Sequence, residues 1–155
     1  MKIMVFDVGG TEIKYSVMDE QMHRTDSGAV PTPQDTQAQF LDAVYRLYAP
    51  HKDEVSGIAM ALPGFVDNRT GYVSNGGALL YNTATPVGQL LAEKCGCPVI
   101  LENDGCFFPW SVEMPPIIAV IRKRGFAFCL SIAKRMFFHN VCFVTRRLSG
   151  ISRVD

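Results

Sequence analysis

An α/β fold, with a mixed sheet flanked by helices, is what this sequence predicts. Three observations carry the prediction. The first 30 residues read as a β-meander, and strand and helix patterns alternate after it. The chain of 155 residues is 48% apolar, the size and composition of one globular domain with a core.

Lys2-Ile3-Met4-Val5-Phe6-Asp7-Val8 is a β-branched and aromatic run, which suits a buried strand. Gly9-Gly10-Thr11 interrupts it, and Glu12-Ile13-Lys14-Tyr15-Ser16-Val17-Met18 then alternates polar with apolar residues. The two segments predict a hairpin closed by a Gly-Gly turn. Asp19-Glu20 marks a second turn and Thr25 to Val30 a third strand. Pro31 and Pro33 break the chain before Thr36, a helix N-cap candidate, and Phe40, Leu41, Val44, Leu47 and Tyr48 recur at helical spacing up to Pro50. Val55 to Leu62 predicts a buried strand stopped by Pro63-Gly64. Gly71-Tyr72-Val73 leads into a short strand, and Asn75-Gly76-Gly77 has loop chemistry. Pro86 is expected as a first helical residue, with Val87, Leu90 and Leu91 on one face and Cys95-Gly96 as the stop. Cys97 to Leu101 predicts a last strand that ends in Glu102-Asn103-Asp104-Gly105.

Net charge is zero, but its distribution is uneven. Residues 1–105 hold 13 acidic and 7 basic residues, a balance of −6. Residues 106–155 hold Glu113 and Asp155 against 8 Lys or Arg, a balance of +6, with half of the chain's aromatic residues. A basic aromatic segment suits stacking on nucleic acid or a membrane surface, but its apolar runs fall well short of the roughly 20 residues that span a bilayer. The five cysteines form no Cys-x-x-Cys pair, and Met1 leads into a run too short for a secretory signal. Free thiols in a reducing cytoplasm are therefore expected, with no transmembrane segment.

Two strand ends carry chemistry. Asp7 precedes two residues without side chains, so phosphates could approach the backbone N–H groups of Gly9, Gly10 and Thr11, and Asp7 could hold Mg²⁺ through hard oxygen ligation. The simpler reading is a hairpin turn with Asp7 as its cap. Neither the Walker loop nor the dinucleotide fingerprint is present, because both glycine spacings are missing. Glu102-Asn103-Asp104 offers a carboxylate to accept a hydroxyl proton and an amide to orient that hydroxyl. Its simpler reading is Asp104 as a helix N-cap.

Asp7-Val8-Gly9-Gly10-Thr11 with Lys14, then Ala61-Leu62-Pro63-Gly64-Phe65-Val66-Asp67, then Glu102-Asn103-Asp104, together resemble the ROK family of repressors and sugar kinases over residues 1–105. The resemblance implies an actin-like, ribonuclease-H-like ATPase fold, of which residues 1–105 form the amino-terminal lobe. It also implies Mg-ATP and a small-molecule sugar as ligands, and a homodimer if the protein is intact. By it, Gly9, Gly10, Thr11 and Lys14 face the ATP phosphates and Asp7 serves the metal. Asp104 would deprotonate the sugar hydroxyl, and Gly64, Asn75 and Asn103 would line the sugar pocket. The wording of Asn75 to Asn82 resembles the glucokinase and β-glucoside kinase branch. Six residues precede Asp7, so no DNA-binding winged helix is expected, and kinase ancestry is favoured.

From Gly105 the sequence leaves the family pattern. Pro109 disfavours the Ala-rich helix that the family places there, at about 3 kcal/mol in a helix interior. The second phosphate loop, the sugar-binding Glu and His, and the cysteine-rich zinc site are missing, with His139 isolated and Cys129 and Cys142 in apolar surroundings. Charge, aromatic content and motif match all change together. The expectation is a frameshift near codon 105–108, with early termination or truncation, and a kinase fragment of weak or no activity. The alternative is a non-catalytic binding protein that uses residues 106–155 on nucleic acid, a membrane or a protein surface.

Overall fold

The computed structural model describes residues 1–19, 21 and 23–103. Asp104 and everything expected of residues 106–155 lie outside the described residues. Five strands form one sheet: β1 (Ile3–Val8), β2 (Glu12–Met18), β3 (Arg24–Pro31), β4 (Ile58–Leu62) and β7 (Val99–Asn103), in the order β3-β2-β1-β4-β7. The meander β1-β2-β3 is antiparallel, while β1, β4 and β7 run parallel. β5 (Phe65–Asp67) and β6 (Tyr72–Asn75) make a separate small hairpin. The predicted mixed sheet is therefore present. Its three parallel strands end along one edge, bringing Val8, Leu62 and Asn103 to the same side.

Helices α1 (Gln37–Tyr48) and α2 (Val87–Cys95) cover one face. Alternation puts Met4, Phe6 and Val8 of β1 on that face, with Ile58, Met60 and Leu62 of β4. These pack with Phe40, Val44 and Tyr48 of α1 and Leu91 of α2 in a single core cluster. α1 begins as predicted: Thr36 is extended and its hydroxyl accepts from the Gln39 N–H at 3.3 Å. α2 ends as predicted on Gly96 in the left-handed region, whose N–H donates to Ala92 O at 2.9 Å.

Four details differ from the sequence expectation. Pro86 is the cap of α2 and not its first helical residue. β4 starts at Ile58 and not Val55, because Val55 and Ser56 make a turn whose N–H groups donate to His51 O and Lys2 O. β7 runs from Val99 to Asn103, so Glu102 and Asn103 belong to the strand and pair with Ala61 and Leu62. The short strand β5 was not expected at all. It follows Gly64 directly and is held by backbone pairing to β6 rather than by any hydrophobic period of its own.

Two contacts fix α2. Its first turn meets the β5–β6 turn main chain to main chain. The Gly88 N–H donates to Gly71 O at 2.9 Å, and a Cβ added to either glycine would lie within 2.9 Å of the other's Cα. Lys94 spans to α1, 2.6 Å from Asp42 Oδ1, with its ammonium 5.8 Å from the centre of the Tyr45 ring. The hydrogen bond from Lys94, and then its charge, hold the Asp42 carboxyl below the usual carboxylate range. A carboxyl depressed in the folded state favours folding above its unfolded value, and that contribution is lost as pH falls through the folded one. Asp42→Asn is expected to lower stability modestly at neutral pH and to converge with the parent below about pH 4, so that its profile is flatter across the acid limb, read by denaturant midpoints across pH.

Candidate active site

The tip of the β1–β2 hairpin is built so that its carbonyls are occupied while the N–H groups of Gly10 and Thr11 are not. Gly9 N–H donates to Glu12 O at 2.8 Å, which makes Gly9 and Glu12 the closing pair and Gly10-Thr11 the two turn residues. The expected Gly-Gly turn is thus shifted by one residue. Three successive carbonyls are tied to the segment after β3. The Thr32 hydroxyl donates to Gly9 O at 2.8 Å, the Gln34 amide to Gly10 O at 2.7 Å, and the Thr32 N–H to Thr11 O at 3.0 Å. Among the described residues, nothing accepts from the N–H groups of Gly10 and Thr11 or from the Thr11 hydroxyl. Unpaired N–H groups at adjacent turn residues make a concavity suited to an anion. Thr11 itself is exposed.

Neither glycine of the hairpin adopts a left-handed φ. Their service is closeness: a Cβ at Gly9 would lie 3.3 Å from Glu12 O, and one at Gly10 would lie 3.0 Å from Ala78 Cβ. A ligand and a neighbouring loop can therefore both approach the main chain.

Asp7 is half-buried one residue before the end of β1. Strand register sets it opposite Lys14 on β2 and Ala61 on β4, and Ala61 opposite Glu102 on β7. Directly opposed residues share a face, so Lys14, Asp7 and Glu102 form one polar row near the carboxyl end of the parallel strands. The Lys14 ammonium is mostly exposed and lies 3.5 Å from Glu12 Oε1. Such a loose surface pair leaves it free to turn toward an anion at little cost. Glu102 Oε2 accepts from the Asn68 amide at 3.2 Å, and Asn103 follows it at the strand end, half-buried and opposite Leu62. Among the described residues no group of three or more His, Cys, Asp or Glu gathers to hold a metal.

The other wall is the junction of Gly64 with residues 75–77. Gly64 has φ +99°, and a Cβ there would fall 2.0 Å from Asn75 O and 2.7 Å from Gly77 N. Asn75 is exposed, and its Oδ1 accepts from the Gly77 N–H at 2.8 Å. Asn82, at the other end of the singled-out stretch, is buried. Its Oδ1 accepts from the Gln37 amide at 3.1 Å, which marks it as a structural amide.

The structure thus brings Asp7, Gly9, Gly10, Thr11, Lys14, Gly64, Asn75 and Asn103 to the carboxyl edge of the sheet and the loops beside it. Sequence reading missed Thr32 and Gln34, which aim the hairpin. The only signal available was a pair of polar residues after a strand-ending Pro31. Among the described residues the two cysteines lie away from this edge: burial pushes the Cys95 thiol up to about 11 and raises that of Cys97, so both stay protonated at neutral pH.

Comparison with known proteins bears on the family and the fold. The model of the ROK family matches residues 3–114, and so runs past Gly105. The N-acetyl-D-glucosamine kinase of Mannheimia succiniciproducens is 32% identical over 131 residues, covering 78% of this chain and 43% of that protein. The beta-glucoside kinase of Listeria innocua is 32% identical over 106 residues, covering 67% of this chain and 35% of that protein. The chain therefore spans less than half the length of these curated relatives. Among solved structures, the ROK hexokinase of Thermus thermophilus superposes with TM-score 0.59 at 29% identity, over 67% of this chain and 35% of that one. The ROK family glucokinase of Streptomyces griseus, solved in complex with glucose and AMPPNP, gives TM-score 0.60 at 25% identity, over 67% of this chain and 33% of that one.

Proposed function

Because this chain belongs to the ROK family, we propose that it supplies the nucleotide-binding lobe of an ATP-dependent kinase that phosphorylates a hexose or hexoside. One observation carries the reading: the Gly9, Gly10 and Thr11 carbonyls are bonded away, while the Gly10 and Thr11 N–H groups have no protein acceptor among the described residues. Turn amides held in that state receive phosphate oxygens without first breaking a protein hydrogen bond.

In this reading the Gly10 and Thr11 N–H groups bind the ATP phosphates, Gly9, whose own N–H is held by Glu12 O, lets them approach the main chain, and Lys14 adds positive charge beside them. Asp7 holds Mg²⁺, whose chemistry when bound is to neutralise charge that develops on the phosphates. Asp104 accepts the proton of the attacking sugar hydroxyl, Asn103 orients that hydroxyl, and Gly64 and Asn75 border the sugar. Most of the work in phosphoryl transfer is positioning, and an edge where three parallel strands end sets both substrates against one rigid sheet. The described residues contain no helix long and apolar enough to cross a membrane. We further propose that residues 106–155 form a divergent segment produced by a shifted frame. Translating the coding DNA in the other two frames, with no family motif in either, would end that proposal.

Titration of the chain with Mg-AMPPNP, followed by amide chemical shifts, tests the kinase reading. Gly10 and Thr11 amides are expected to move most, and Asp7→Asn to weaken Mg-dependent binding by about tenfold or more, roughly 1.4 kcal/mol. Saturation by nucleotide with both amides unmoved would place the ligand elsewhere. A folded chain that binds no nucleotide would remove the reading altogether.

A further inference from the structure

The turn from Gly76 to Leu79 touches both walls of the candidate site. It is firmly seated: Gly76 N–H donates to Thr83 Oγ1 at 3.0 Å, Leu79 N–H to Gly76 O at 2.9 Å, and Leu79 is 1% exposed in the core. On one side Gly77 lies against the sugar-side loop, where an added Cβ would sit 2.7 Å from Gly64 N and 3.1 Å from Pro63 C. On the other side the Ala78 methyl meets the hairpin tip, 3.0 Å from where a Gly10 Cβ would be. Ala78 is exposed, so its size is not set by core packing.

The hairpin tip is thus held from two directions. Thr32 and Gln34 grip its carbonyls, and Ala78 sets how far Gly10 stands from the Gly64 junction. We propose that Ala78 is a positioning residue that fixes the spacing between the phosphate-facing amides and the sugar-facing loop. For the identity of its ligands this rests on the kinase reading. The contact that transmits the effect does not.

The mechanism is steric. Ala78 Cβ already stands 3.0 Å from where a Gly10 Cβ would be, so a γ-carbon added at position 78 and turned toward the hairpin crowds Gly10, and the turn beneath it cannot recede because Leu79 is buried and Gly77 is at contact with Gly64. That crowding displaces the hairpin tip, and displaced donors lose alignment with phosphate oxygens. The sugar-side junction keeps its own backbone contacts. Bulk at Ala78 therefore acts on nucleotide before it acts on sugar.

The test uses the full chain with Ala78→Val, Ala78→Gly and the near-isosteric Ala78→Ser. Circular dichroism is taken first to establish folding. In the ligand-free protein, Ala78→Val and Ala78→Gly are expected to shift the Gly10 and Thr11 amides, and Ala78→Ser to shift them little. With Mg-AMPPNP and glucose as probes, Ala78→Val is expected to raise the nucleotide Kd by about tenfold or more and the glucose Kd by less than about twofold, with Ala78→Ser close to the parent. Unmoved hairpin amides in folded Ala78→Val, or equal weakening of both ligands, would overturn the assignment. If the parent chain binds neither probe, the kinase reading fails, and the amide shifts alone decide whether Ala78 positions the tip.

Discussion

Gly64→Ala is expected to unfold this chain or to destabilise it by more than about 4 kcal/mol, because two penalties fall on one atom. The φ of +99° lies where side-chain-bearing residues rarely go, and the new Cβ would stand 2.0 Å from Asn75 O, a backbone atom with no rotamer to move into. Relief requires residues 75–77 to part from Gly64, which breaks the junction of the two loops. Gly96→Ala separates the two penalties. It shares a positive φ, +68°, but its Cβ would meet nothing within 4 Å, so a cost near 1 kcal/mol is expected from conformation alone. Urea midpoints of the two variants measure the difference. Similar losses at both positions would show that crowding at Gly64 is not what fixes the loop.

Phe40→Ala is the second large effect, with an expected loss of about 3–5 kcal/mol. Phe40 is fully buried on α1 and belongs to the single cluster joining the sheet to both helices. Its ring also meets Tyr81, with centroids 6.1 Å apart and planes tilted by 41°, and Tyr81 donates its hydroxyl to Pro33 O at 2.8 Å. Truncation leaves a cavity where α1, the residues after the Gly76–Leu79 turn and the segment carrying Thr32 and Gln34 come together. Phe40→Leu is expected to recover more than half of the loss, since it refills most of the volume. Thermal unfolding of both variants gives the comparison, and a small loss in Phe40→Ala would mean that the cluster does not depend on this ring.

The sequence was informative wherever a local rule decided the outcome. β2 was readable to the residue because Glu12 to Met18 alternates, and α1 because Thr36 caps a clear helical period. It was less exact at β7, expected over Cys97 to Leu101: Glu102 and Asn103 continue the strand because β4 offers them backbone partners. β5 was invisible because three residues carry no period. At the site, the glycines and Asp7 could be singled out by residue type. Their control could not: Thr32 reaches Gly9 across 23 positions and Ala78 reaches Gly10 across 68, contacts that exist only once the sheet is assembled.

The meeting of Gly71 and Gly88 has a consequence for how this lobe can change over generations. A methyl gained at either position would run into the main chain of the other, and the other has no side chain left to give up. No second change at the pair can therefore compensate for the first. Most buried contacts drift by reciprocal exchange of large for small. This one is already at its lower limit on both sides, so descent can only keep it or rebuild the whole approach of α2 to the sheet.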